Sequence, residues 1–167
     1  SNVTWFSTKV RYQKTMEDGS EKVVTENYLV DALSFTEAES AITDEMSVYV
    51  SGEFQVSGIA KAAYNEVFFS DVDDDDKWYK AKLQFITIDE KTEKEKRSTV
   101  NYLVQAKSLA RALRYVDEEM GKTMIDYDTI GLNETNLMDV FEHQAPNKEE
   151  KNDVPEYEQG NAEQPAE

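Results

Sequence analysis

An acidic run near the middle of the chain offers the clearest candidate metal ligands, with five aspartates in six residues. Asp71, Asp73 and Asp75 fall at the first, third and fifth positions of a calcium-binding loop, which places oxygen ligands at that spacing. The pattern then breaks, because Asp76 replaces the glycine of the sharp turn and Lys82 replaces the bidentate glutamate that closes such a loop. We therefore interpret the run as a solvated linker, with a divalent-cation site at the three aspartates as the alternative.

Histidine and cysteine, the usual metal ligands and nucleophile partners, are almost missing from the sequence. The absence of cysteine excludes disulfides, thiolate nucleophiles and thiolate metal sites. His143 is the sole histidine, and it has no second imidazole or thiol with which to form a metal site or a dyad. Since the sequence also lacks a glycine-rich phosphate loop and a nucleophile elbow, we predict no enzymatic activity, no catalytic residues and no cofactor.

The charge of the chain is unevenly distributed. The net charge of −17 argues against a general nucleic-acid binder, which neutralises phosphates with a basic field. Residues 77–122, however, carry 11 basic and 7 acidic side chains. The candidate nucleic-acid contacts in this region are basic residues near Trp78 and Tyr79: Lys80, Lys82, Lys94, Lys96 and Arg97. Interleaved glutamates dilute this cluster, so nucleic-acid contact is the less favoured interpretation.

An internal repeat organises most of the chain. The segment from Trp5 to Met46 aligns with the segment from Trp78 to Met120, with a one-residue difference in a hairpin turn. The tetrapeptide Asn-Tyr-Leu-Val at residues 27–30 returns at residues 101–104, and Gly58 matches Gly131. This many ordered matches indicate a tandem duplication.

Each repeat has the pattern of two strands, a helix and a third strand. Alternating side chains from Trp5 to Tyr12 predict the first strand, and a polar turn leads to the second. Ser34 and Ser108 are predicted helix N-caps, and apolar residues at helical spacing follow them. The predicted core stripes of the two helices are Phe35, Ala38, Ala41, Ile42 and Met46, and Leu109, Ala112, Val116 and Met120. A strand with a glycine bend follows each helix, and short segments near Glu66–Phe69 and Asp139–Phe141 are expected to add a fourth strand to each repeat.

These elements predict an α+β fold in which each antiparallel sheet is covered on one face by one helix. Trp5, Leu29, Trp78 and Leu103 project from the opposite faces, so their apolar surface requires cover. Pseudo-twofold packing of the repeats within the chain, or a homodimer, would provide it. We therefore take these four residues as the candidate partner-binding surface.

The domain organisation follows from the repeat. We predict a first repeat over residues 4–70, an acidic linker over 71–76, a second repeat over 77–144, and a disordered acidic tail over 145–167. No apolar run approaches the roughly 20 residues that a membrane helix needs, and the lack of cysteine suits a reducing compartment. We expect a cytoplasmic protein without membrane contact.

Several stretches of the sequence are similar to a known family, namely residues 5–12, 28–39, 67–69, 78–83 and 139–141. They resemble the domain-of-unknown-function family 4494, and the resemblance extends over roughly residues 4–143. It implies an uncharacterised protein of Bacteroidota or of their phages, and it brings no catalytic residues.

The leading hypothesis is a non-enzymatic binding or assembly protein whose duplicated sheet surfaces contact a protein partner or a second copy. The alternative is a nucleic-acid-associated accessory protein, or a mimic of nucleic-acid charge, of phage or mobile-element origin.

Overall fold

A computed structural model describes residues 4–143. The described elements are β1 (Thr4–Thr15), β2 (Glu21–Ala32), α1 (Phe35–Tyr49), β3 (Phe54–Ala62), β4 (Glu66–Phe68), β5 (Lys77–Ile88), β6 (Glu95–Ala106), α2 (Leu109–Met120), β7 (Asp126–Glu134) and β8 (Leu137–Phe141). The order of two strands, a helix and two strands occurs twice, which confirms the predicted α+β fold with a duplicated unit. Within residues 4–143, neither helix is long and apolar enough to cross a membrane.

Both helices begin at the predicted serines. The Ser34 hydroxyl accepts a hydrogen bond from the Glu37 N–H at 3.1 Å, and the Glu37 carboxylate accepts one from the Leu33 N–H at 3.1 Å. Ser108 accepts from the Arg111 N–H at 3.1 Å. The two bonds to the serine hydroxyls satisfy donors that the first helical turn leaves without intrahelical partners.

The described chain divides into two compact units. Unit 1 contains residues 4–61 and 140–143, and its four-stranded sheet has the order β3-β1-β2-β8. Strands β1 and β2 form an antiparallel hairpin that runs from Thr4 opposite Ala32 to Thr15 opposite Glu21. The core of unit 1 joins one face of this hairpin to α1: Phe6, Val10, Tyr28, Val30, Ala32, Ala38, Ile42 and Met46.

Unit 2 contains residues 62–139, and its sheet has the order β4-β6-β5-β7. Strands β5 and β6 form the corresponding hairpin, from Lys77 opposite Ala106 to Ile88 opposite Glu95. Alternate residues of the hairpin face α2 and form the core with it: Tyr79, Ala81, Leu83, Tyr102, Val104, Ala106, Ala112, Val116 and Met120.

The fourth strand of each sheet comes from the other repeat. β4, at the end of the first repeat, pairs in parallel with β6, from Glu66 opposite Tyr102 to Phe68 opposite Val104. β8, at the end of the second repeat, joins the sheet of unit 1 beside β2. The sequence predicts that each repeat keeps its own fourth strand, and the strand order contradicts this prediction. Strands of three and five residues have too little pattern to specify their neighbour.

The unit boundaries therefore differ from the repeat boundaries. The acidic segment 71–76, which the sequence suggested as a linker, lies inside unit 2. The tail over residues 145–167 lies outside the described residues.

The apolar stripes predicted for the two helices lie only partly in the core. Phe35 and Leu109 are both half exposed, whereas the later members of each stripe, such as Ala38 and Ala112, are buried. Both exposed residues come first in their helices. Because helical side chains lean toward the N-terminus, a side chain at the first position projects beyond the helix instead of over a preceding turn.

Candidate binding groove

The four residues taken as a partner surface lie in the interior. Trp5, Leu29, Trp78 and Leu103 are all buried, and Leu103 has no exposed area. The ring of Trp78 meets Phe69 edge to face, with centroids 5.5 Å apart. These side chains do not present an exposed docking surface.

The five candidate nucleic-acid contacts do not lie together on one face. Lys80, Lys82 and Arg97 are on the face of the unit 2 sheet opposite α2, because they alternate with the core residues of their strands. Lys96 is on the helix-facing side, and Lys94 belongs to the turn before β6.

Arg97 is occupied by protein groups. Its guanidinium lies 2.7 Å from a Glu95 oxygen and 2.8 Å from an Asp128 oxygen, and it donates to Gln84 Oε1 at 3.1 Å. Hydrogen bonds to Asp128 and Glu95 raise the pKa of Arg97. Arg97, one cation of the predicted cluster, is therefore paired within unit 2.

Asp75, in the acidic run, is a buried structural carboxylate. It accepts hydrogen bonds from Ser70 Oγ at 2.5 Å, Tyr115 Oη at 2.6 Å and the Lys107 N–H at 2.9 Å. Burial alone would raise the pKa of the Asp75 carboxyl, but these bonds, together with the nearby Arg111, hold the pKa below its usual value. The carboxylate joins the start of α2 to the segment after β4.

The alternative cation site at Asp71, Asp73 and Asp75 is not assembled in the described residues. Asp75 directs its oxygens to protein donors, whereas Asp71 lines a small cavity next to Tyr115 and Asp73 is exposed. Across residues 4–143, no three acidic or histidine side chains are grouped so as to hold a metal ion.

His143 has a role in unit 1. Its backbone N–H donates to Asp31, and its Nε2 lies 2.9 Å from Glu45 Oε2 on α1. It thereby attaches the end of β8 to both the sheet and the helix.

An apolar groove lies between α2 and β7 in unit 2. Leu109 and Leu113, one turn apart, form its helical wall, and both are substantially exposed, at 50% and 41%. The groove has a volume of about 660 Å³. Its remaining lining residues are Ala110, Thr129, Ile130, Gly131 and Leu132.

A β-bulge shapes the strand wall of this groove. Thr129 pairs with Leu83 and Gly131 pairs with Lys82, which leaves Ile130 as an extra residue between them. Bulges redirect a side chain locally, and Ile130 is 47% exposed at the groove. The glycine pattern predicted an irregularity here, and the bulge confirms it for β7.

A hydrogen bond connects the two walls beyond the apolar part. Tyr127 on β7 donates to Asp117 on α2 at 2.7 Å, and Asp117 lies one turn after Leu113. This bond and partial burial raise the pKa of Tyr127 to about 12. The hydrogen bond between Tyr127 and Asp117 holds α2 against β7, so the walls of the groove are preformed.

The first repeat carries different side chains at the matching positions. Leu113 corresponds to Glu39, and Ile130 corresponds to Ser57. The residues that the repeats share do not indicate the groove, because it lies where the repeats differ. The groove is indicated in the sequence by a difference between the repeats, namely apolar residues in one repeat where the other has polar residues.

The search of curated proteins and the search of solved structures gave no match. The family model described as Domain of unknown function (DUF4494) matches residues 4–143, which are the same residues that the structure describes. The chain belongs to this family.

Proposed function

We propose that this chain is a non-enzymatic protein-binding or assembly protein and that it binds its partner at the α2–β7 groove. The observation that carries the proposal is the contiguous exposure of Leu109, Leu113 and Ile130 around one concavity. Exposed apolar side chains that occur singly need no explanation, whereas a contiguous group on a preformed surface is typical of interaction sites.

The groove replaces the sheet surfaces as the expected contact. Trp5, Leu29, Trp78 and Leu103 are buried, so their side chains support folding and cannot reach a partner without a rearrangement. The groove requires none, because its walls are already joined by the bond between Tyr127 and Asp117.

Charge supports a protein partner over a nucleic acid. Strand β7 carries Asp126, Asp128 and Glu134 and no lysine or arginine. Phosphates are repelled by such a strand, and Arg97, one of the predicted phosphate contacts, is already paired with Asp128. Association with nucleic acid is therefore an alternative outcome of the test below.

The test uses a double variant designed from the first repeat. Leu113→Glu combined with Ile130→Ser introduces the residues that occupy the same positions in unit 1, so we expect the fold to be retained. The control is Val48→Glu combined with Ile88→Ser, which makes the same types of change at exposed positions outside the groove. Circular dichroism and thermal unfolding verify that both variants are folded.

Tagged wild-type protein and the two variants are compared in affinity capture from a host lysate, with and without nuclease. We expect a defined protein that the wild type and the control retain, that the groove variant loses, and that nuclease does not release. Equal retention by the groove variant would refute the groove as the binding site. Release by nuclease would replace the proposal with the nucleic-acid alternative.

We also propose a cytoplasmic location and an origin in Bacteroidota or their phages. The absence of cysteine supports the first statement, and the family resemblance supports the second.

A further inference from the structure

Strand β7 lies at the end of its sheet. Within residues 4–143, the order β4-β6-β5-β7 gives it a paired neighbour on one side only, namely β5. An edge strand presents backbone N–H and C=O groups that can pair with an added strand. Because the α2–β7 groove borders the same strand, backbone pairing and apolar contacts are available in one place.

The side chains of an added strand would alternate between the two faces of the sheet. Those on the α2 side would lie next to Leu109, Leu113 and Leu132, where the groove is open. Residue 130 projects at the bulge and contributes a further apolar contact. The geometry favours an extended segment with an apolar centre.

The charges of β7 specify the ends of that segment. The strand is acidic at one end, with Asp126 and Asp128, apolar at its centre, and acidic again at Glu134. Asp128 already forms an ion pair with Arg97. Basic residues of the bound segment would therefore pair mainly with Asp126 and Glu134. Complementary charge would place a basic residue near each end of the bound segment.

The same charges disfavour two other occupants. A second β7 would bring carboxylates against carboxylates, since like charges opposite each other on paired strands are destabilising. The chain's own residues 145–167 contain seven acidic and two basic side chains, so they are also a poor match.

We infer that β7 receives an extended segment of a partner protein as an additional β-strand, with apolar residues in the α2–β7 groove and basic residues beside Asp126 and Glu134. This inference rests on the proposed function and names the conformation and chemistry of the segment bound at that site.

The probe is a displayed library of random ten-residue peptides, selected against the full chain. Clones that bind the groove variant Leu113→Glu/Ile130→Ser are removed beforehand. We expect the selected peptides to have an apolar centre with lysine or arginine toward both ends. A synthetic peptide of the enriched sequence should bind the groove variant at least about tenfold more weakly than the wild type, since central apolar contacts dominate such interfaces.

Strand addition is then tested by N-methylation of single backbone amides in that peptide. Successive amides of a strand point alternately toward and away from the neighbouring strand. Methylation at alternate positions should therefore abolish binding, and methylation at the intervening positions should leave it unchanged. Amide hydrogen exchange should slow in β7 on binding, and not in β3.

The charge requirement is tested with Asp126→Asn combined with Glu134→Gln. We expect peptide affinity to fall about fivefold at low salt, because two exposed ion pairs are removed, and the salt dependence to decrease. Glu17→Gln combined with Glu21→Gln, two exposed changes in unit 1, is the control and should have no effect.

The outcomes separate the two proposals. If no selected peptide distinguishes the groove variant from the wild type, the proposed binding site is wrong. If peptides depend on the groove but tolerate methylation at every position, or lack basic ends, the groove stands and strand addition by a basic segment is refuted. Self-association of the wild type that blocks peptide binding would assign the edge to a second copy and would also overturn the inference.

Discussion

The backbone N–H of His143 donates a hydrogen bond to the buried carboxylate of Asp31, 112 residues earlier in the chain. The corresponding bond in unit 2 joins the Ser70 N–H to Gln105 Oε1 at 2.8 Å. Asp31 and Gln105 are equivalent in the repeat, and so are Ser70 and His143. In each unit, a side chain on the second strand of the hairpin therefore accepts a bond from the backbone N–H two residues after the exchanged strand. The acceptor is a carboxylate in unit 1 and an amide in unit 2.

Removing the acceptor in unit 1 should destabilise the protein. We expect Asp31→Ala to lower the free energy of unfolding by about 1–3 kcal/mol, since it leaves a donor without its buried partner. Asp31→Asn should cost less, because Gln105 shows that an amide oxygen can accept the same bond. Urea unfolding measures both. Asp44→Ala, an exposed change on α1, is the control, and an equal loss in all three variants would contradict the role of the bond.

The buried Asp75 predicts acid sensitivity in unit 2. Because its pKa is lowered in the folded protein, its contribution to stability is present above the unfolded pKa of about 4 and is lost as pH falls through the folded pKa. We expect Asp75→Asn to be less stable than the wild type at neutral pH, by about 1.5–3 kcal/mol. The difference should narrow below about pH 4. Urea unfolding at a series of pH values tests this, and a constant difference across the range would show that ionisation of Asp75 does not contribute.

The hydrogen bond of Tyr127 should contribute to stability with the opposite pH dependence. Its pKa is raised from 10.0 to about 12, so the bond to Asp117 contributes fully below pH 10 and is lost as pH rises from 10 toward 12. Ultraviolet titration should show a tyrosine that ionises near this value. Asp117→Asn should lower that pKa, because a carboxylate next to the phenol disfavours the phenolate. If the titration curves of the variant and the wild type coincide, the bond does not form in solution.

Substitution of a buried tryptophan should affect folding and not association. Trp78 and Trp5 are buried, so we expect Trp78→Ala to cost about 3–5 kcal/mol without changing the molar mass measured by light scattering. Trp78→Phe should recover part of the loss. A stable Trp78→Ala variant with altered oligomeric state would instead restore the sheet surface as a binding site.

Sequence patterns predicted the local structure well, because local structure depends on neighbouring residues. Alternation identified the core faces of the hairpins, the serines marked both helix starts, and Gly131 marked an irregular strand. The position of the exchanged strands was not predictable in this way. β4 and β8 are short, and their neighbours are fixed by hydrogen bonds to distant residues such as Gln105.

The candidate site was harder to predict than the fold. The same apolar residue types serve as core or as exposed surface, and only the tertiary structure distinguishes Leu113 at the groove from the buried Leu103. Pattern alone also could not show that Asp75 would be buried and bonded while Asp73 in the same run remains exposed.

The exchanged strands affect the order in which the two units can be completed during synthesis. Unit 2 is continuous over residues 62–139, whereas unit 1 requires β8, near the end of the described chain. Ribosomal synthesis delivers the N-terminal residues first, yet the sheet begun by those residues stays one strand short until residue 141 has emerged. Division of the gene between the repeats would therefore yield two fragments, each lacking the closing strand of its own sheet and carrying the strand that the other needs.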